Sequence, residues 1–157
     1  MPSSRQLTRH FTLEEFCLSQ EAVRAGIDNT PPADVLANLV RLAKMLEKVR
    51  ELLKKPIFIS SGFRCAALNT RVGGSKTSAH LEGRAADFIC PAFGTPYAIA
   101  RRIAGTRLGF DQMIHEYGRW VHIAVPRAPE PARRELLSIF EAGRYLPGLT
   151  QLNEGRA

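Results

Sequence analysis

The sequence predicts an α+β fold, a single domain in which a small antiparallel sheet is flanked by helices. Three observations carry that expectation. A chain of 157 residues, 45% of them apolar, has the size for one hydrophobic core. From Val35 to Leu53 apolar residues recur at three- and four-residue steps, the period of a helix buried along one face. Phe110–Glu116 and Trp120–Val125 flank the link Tyr117-Gly118-Arg119, and two such runs around three residues with a glycine read as a hairpin. No repeat, low-complexity block or linker interrupts the chain, so residues 11–145 are expected as the domain, with 1–10 and 146–157 as tails.

In chain order, Thr12-Leu-Glu-Glu15 has a capping-box pattern and opens a short helix that buries Leu13 and Phe16. Asn29-Thr-Pro-Pro32 stops the chain and starts the long helix, whose stripe is Val35, Leu39, Leu42, Met45, Leu46, Val49 and Leu53. Pro56–Ser60 reads as a strand leading into a turn at Ser61-Gly62, with Arg64 just beyond it. Val72–Ser78 is rich in Gly, Ser and Thr without periodicity, which predicts a surface loop. Ala85–Cys90 is the next strand, and Thr95-Pro96 caps a helix running to about Ala104. After the hairpin, a short helix is expected around 134–141.

A net charge of +7 favours an anionic partner. Arg101-Arg102 and Arg133-Arg134 are only short pairs with no aromatic-basic reading motif, so nucleic acid is not expected. No apolar stretch reaches the ~20 residues that span a bilayer, and the first ten residues lack the apolar core of a secretory signal. Synthesis in the cytoplasm without membrane insertion is therefore expected. Cys17, Cys65 and Cys90 are odd in number and have no CxxC spacing, which argues for free thiols over a disulfide framework or a thiolate metal site.

The chemistry concentrates in Ser78-Ala-His80-Leu-Glu-Gly83-Arg-Ala-Ala-Asp87 and in Trp120-Val-His122. Two imidazoles and one carboxylate are a natural ligand set for catalytic zinc, because three protein ligands leave one tetrahedral position for water. Gly83 suits a chain that offers His80 from a loop, turns, and presents Asp87 from a strand.

These residues, together with Phe11–Phe16, Gly26–Pro32, Ser60-Ser-Gly-Phe-Arg64, Leu68-Asn69 and Gly73–His80, resemble peptidase family M15 in the same order along the chain. That group contains D-Ala-D-Ala carboxypeptidases and murein peptidases, and shares its zinc-site architecture with lysostaphin and the Hedgehog signalling domain. The resemblance implies Zn2+ held by His80, Asp87 and His122, with Arg64 binding a substrate carbonyl or carboxylate oxygen and Ser78 a further substrate contact. Several members carry the general base as the glutamate of E-x-x-H, but the residue three before His122 is Arg119, which stays cationic at neutral pH.

Hairpin geometry points to Glu116 instead. If residues 117–119 form the loop, Glu116 faces Trp120 and shares a sheet face with His122, while His115 points the other way. A two-residue loop at 117–118 would pair Glu116 with Arg119 and put it out of phase. Gln112 shares the face of Glu116, either contacting substrate or satisfying a polar sheet edge.

The expected function is a zinc-dependent murein endopeptidase acting as a monomer on peptidoglycan stem peptides. An enzyme of phage or prophage lysis, reaching the wall or periplasm after release, fits the expected lack of a signal. The alternatives are a carboxypeptidase trimming terminal D-alanine and a catalytically inert zinc-containing wall-binding module, to which the missing E-x-x-H glutamate lends support.

Overall fold

Local capping chemistry sets where the helices begin in the computed structural model, which describes residues 5–151. The outermost parts of both expected tails, 1–4 and 152–157, lie outside the described residues. Helix α1 (Leu13–Cys17) opens at Thr12, whose backbone N–H and hydroxyl both donate to the Glu15 carboxylate at 3.2 Å. Residues 5–10 are tied down rather than loose: Gln6 bridges Thr12, and the backbone N–H of His10 donates to Glu47 Oε2 at 2.7 Å.

Helix α2 (Gln20–Ala25), unmarked in the sequence, starts where Ser19 Oγ accepts from the Ala22 N–H and ends at left-handed Gly26. Helix α3 (Ala33–Leu53) buries the whole expected stripe and Ala43 with it. Helix α4 (Ala66–Arg71), also unforeseen, follows strand β1 (Phe58–Ser61). Helix α5 (Pro96–Ala104) begins at Thr95, whose side chain accepts from the Ala98 N–H. Among the described residues no helix is long and apolar enough to cross a membrane.

The sheet adds β2 (Ala85–Ile89), β3 (Gln112–Glu116), β4 (Trp120–Ala124), β5 (Glu135–Glu141) and β6 (Arg144–Pro147), in the spatial order β1-β2-β4-β3-β5-β6. The α+β class stands, but the sheet is larger than expected and mixed, because β5 pairs parallel to β3 while every other pairing is antiparallel. β6 also crosses the expected domain edge at residue 145.

The helix expected around 134–141 is strand β5. Leu136, Leu137 and Phe140 fit a helical period, yet Arg134 sits in the left-handed region (φ 52°), where no helix starts. Its N–H donates to Phe110 O and that of Glu135 to Asp111 O, which delivers the chain to the free edge of β3. Ser138 turns fully inward, where its hydroxyl donates to Gly148 O and accepts from the Thr150 N–H.

Arg133 reinforces that arrival by donating to both carboxylate oxygens of Asp111, at 2.7 and 3.0 Å. This pairing comes first among the causes that hold the Asp111 carboxyl below its ordinary 3.8, and it outweighs partial burial. A depressed folded-state pKa stabilises fully above the unfolded value and is lost as pH falls through the folded one. Asp111→Asn should therefore lower stability at pH 7 by about 1 kcal/mol or less. That difference should vanish in denaturant titrations repeated at pH well below 3.8.

One face of the sheet packs on the helices. Ala86, Phe88, Met113, Val121 and Ile123 meet Leu42, Leu46, Ile99 and Ile103 in one core. The alternate residues, including Asp87, Ile114, Glu116 and His122, fall on the opposite face. The three cysteines are free: Cys90 is buried, Cys17 and Cys65 partly so. Burial first, and then the charge of Glu14, pushes the Cys17 thiol up to about 11, which keeps it protonated and unreactive.

Candidate metal centre

His80 lies in a 3₁₀ turn (Ala79–Glu82) that begins where Ser78 Oγ accepts from the His80 N–H at 3.2 Å. Gly83 closes the turn at φ 71°, and a Cβ there would come within 2.8 Å of Val35 Cγ1, so both conformation and space require glycine. The His80 Nδ1–H donates to Gly62 O at 2.6 Å. Because a carbonyl can only accept, that bond leaves the Nε2 lone pair directed at Asp87 and His122, the orientation expected of a metal-binding imidazole.

Gly62 is itself fixed. A Cβ on it would overlap the Phe16 carbonyl oxygen and approach the Phe16 Cα to 2.7 Å, both backbone atoms that cannot swing aside. Gly62→Ala is thus expected to displace the carbonyl that orients His80. Metal affinity should fall about 10- to 100-fold, the usual effect of losing such a partner, with a drop in melting temperature. Competition with a chelating dye and a thermal melt measure the two effects.

Asp87 on β2 and His122 on β4 are direct cross-strand partners. Asp87 Oδ1 lies 2.9 Å from His122 Nδ1 and 3.2 Å from His80 Nε2, and one ligand atom from each residue falls within 4.8 Å of the others. All three residues are buried. Burial opposes ionisation of Asp87, but the neighbouring His80 and His122 outweigh it and hold the carboxyl well below the usual carboxylate range. Two imidazole nitrogens and a carboxylate suit zinc, so the residues present fit the ion that the sequence pattern implies.

The hairpin has the three-residue link. Tyr117 and Gly118 take positive φ (57° and 67°), Glu116 pairs with Trp120, and Ile114 pairs with His122. Glu116 consequently shares the face of His122, with its Oε1 3.7 Å from His122 Nδ1, while Oε2 accepts from Trp120 Nε1 at 3.0 Å. Burial first, then the charge of Asp87, raises the Glu116 pKa against the opposing pull of His122, Trp120 and Arg64. Arg119, at the E-x-x-H position, is exposed in the turn.

Arg64 lines the same cavity. Its N–H donates to His80 O at 3.1 Å, and its loop is held by Asn29, which donates to Phe63 O and Cys17 O and accepts from the Cys65 N–H. The Arg64 Nε is buried with no hydrogen-bond partner, an orphaned donor in a cationic group. Ser78 and Gln112 also line the cavity, although Ser78 caps the turn and the Gln112 amide donates to Glu135 Oε1 at 2.7 Å. His115 is on the helix face, its Nδ1–H donating to Thr150 O, between the rings of Tyr97 and Phe140.

The cavity holds about 610 Å³. Sequence reasoning missed one of its walls, formed by Leu137, Ile139, Gly143 and Tyr145 of the β5–β6 hairpin. The alternation of Leu137 and Ile139 was the available signal, masked by the helical spacing around it.

A buried His-Asp-His donor set opening into a cavity, with a carboxylate and a guanidinium beside it, is the constellation of a metal-assisted hydrolase. The sequence matches the family model described as Peptidase M15 over residues 9–124, and the chain belongs to peptidase family M15, a family of zinc peptidases. No curated protein matches the sequence.

Proposed function

We propose that this peptidase hydrolyses peptide bonds in the stem peptides of bacterial peptidoglycan, as a monomeric murein endopeptidase of phage or prophage lysis acting at the wall or periplasm after release. The placement of Glu116 beside the ligand trio carries the reading, since it supplies a carboxylate where the E-x-x-H position has Arg119. Zinc held by His80, Asp87 and His122 would supply the Lewis acidity that polarises a carbonyl and acidifies water.

The chain's own residues do the rest. Glu116 accepts the proton of the attacking water and returns it to the leaving amine. The Trp120 indole steadies the Glu116 carboxylate at Oε2, leaving Oε1 on the side of His122 for that exchange. Arg64, a cationic side chain lining the same cavity, stabilises the developing oxyanion, an interaction of a kind that contributes about 3 kcal/mol of barrier reduction. Ser78 and Gln112, which line the cavity, provide further contacts to the substrate chain. A net charge of +7 favours dwelling on an anionic wall.

Zinc analysis combined with turbidity loss on purified peptidoglycan tests this. Stoichiometric zinc and lysis abolished by a chelator are expected, and lysis indifferent to the chelator would sink the proposal. Mass spectrometry of the digested muropeptides separates the two peptidase readings: cut stems or cross-bridges support the endopeptidase, whereas loss of a single alanine transfers the assignment to the carboxypeptidase. Metal-bound protein without any hydrolysis would favour the inert wall-binding module.

A further inference from the structure

The family match ends at residue 124, yet the strands that follow build part of the cavity. Register explains how. Asp87, His122, Ile114 and Leu137 are successive cross-strand partners on one face, and Trp120, Glu116, Ile139 and Tyr145 form the adjoining row. The Tyr117 N–H donates to Ile139 O at 2.7 Å, which ties the two hairpins together at that end. The face that carries the ligands therefore continues past Glu116 as an apolar floor of Ile114, Leu137 and Ile139, with Tyr145 standing at its far edge.

Three strand spacings separate β4 from β6, about 14 Å at the usual interval. An extended peptide covers that distance with about four residues. The opposite end of the cavity has a different character, because its cations are already engaged. Arg133 is bound to Asp111, and Arg84 donates to Glu82 and to Val125 O. Tyr145 is half exposed, at 53%, one of the few large hydrophobic side chains so exposed among the described residues. Burial first, and then the charges of Glu116, Tyr117 and Asp87, push its phenol up, so it presents a neutral ring and hydroxyl to the cavity.

We propose that the β5–β6 hairpin is a substrate-recognition wall, with Tyr145 as a specificity-determining residue that packs an uncharged stretch of peptide against Ile139 on one side of the scissile bond. The inference rests on the peptidoglycan reading of the same site. It assigns a binding role to residues beyond the family-matched span, and it makes the hairpin the part of the chain that ranks one stem peptide against another.

The test uses the full chain, zinc-loaded, with soluble muropeptides released from purified peptidoglycan by a glycosidase. Two readouts are taken, the kinetics of hydrolysis and the amide NMR shifts on titration at a temperature where turnover is slow. Tyr145→Ala should raise KM about tenfold with kcat within about twofold, and Tyr145→Phe should recover most of the loss, since the ring supplies the packing. Zinc content and melting temperature should match wild type. In the wild-type titration, Ile139 and Tyr145 should be among the amides that move.

Equal KM and equal shifts in wild type and Tyr145→Ala would overturn the wall while leaving the proposed activity standing. Muropeptides that bind at Ile139 and Tyr145 but are never cut would remove the activity and keep the wall. Muropeptides that neither bind nor are cut would remove both.

Discussion

Replacing Asp87 with alanine is expected to strip the protein of its metal and to lower kcat/KM on peptidoglycan by more than about 10³-fold. Loss of a single oxyanion donor typically costs 10²- to 10³-fold, and loss of the metal removes carbonyl polarisation and water acidification together. The geometry makes Asp87 the linchpin, because its Oδ1 alone contacts both His80 Nε2 and His122 Nδ1. Without it, two buried imidazoles meet edge to face with 5.0 Å between ring centroids and no carboxylate between them. Metal content by atomic absorption, read beside activity, checks this. An Asp87→Ala protein that retained one zinc per chain would show that the ion sits elsewhere.

The second large effect is expected from Glu116→Gln, and it separates base chemistry from metal binding. Glutamine keeps an oxygen that can accept from Trp120 Nε1, so the hairpin and the bound metal should be unchanged. It cannot take a proton, and kcat should fall about 10²- to 10⁴-fold with little change in KM. Adding Arg119→Glu should not rescue activity, since that side chain is exposed in the turn and does not line the cavity. Undiminished hydrolysis by Glu116→Gln would remove Glu116 from the reaction, and rescue by the double variant would move the base back to the E-x-x-H position.

The second prediction depends on the phase of one hairpin, which was legible because it is a local property. A link of three residues pairs Glu116 with Trp120, and the two-residue alternation of a strand then sets the face of every neighbour from Gln112 to Ala124. The helix stripe of α3 and the caps at Thr12 and Thr95 were legible for the same reason, since each depends on side chains within about four residues of one another. The helices α2 and α4, six residues each, offered too short a period to stand out.

The sequence by itself supplied the α+β class, the expectation of His80, Asp87 and His122 as a ligand set through the order of its motifs, and the face of the candidate base through strand alternation, a short-range signal. Only the tertiary structure decided that β5 joins β3 in parallel, that Gly62 orients His80, and that Arg64 keeps a buried donor without a partner. The physical reason is common to the three. Each joins atoms more than fifteen positions apart or depends on what the rest of the chain has left unpaired, as Phe110 and Asp111 draw in Arg134 and Glu135 across the sheet edge. A run such as Glu135–Glu141 is compatible with helix and strand alike, and the open edge of β3 chooses between them.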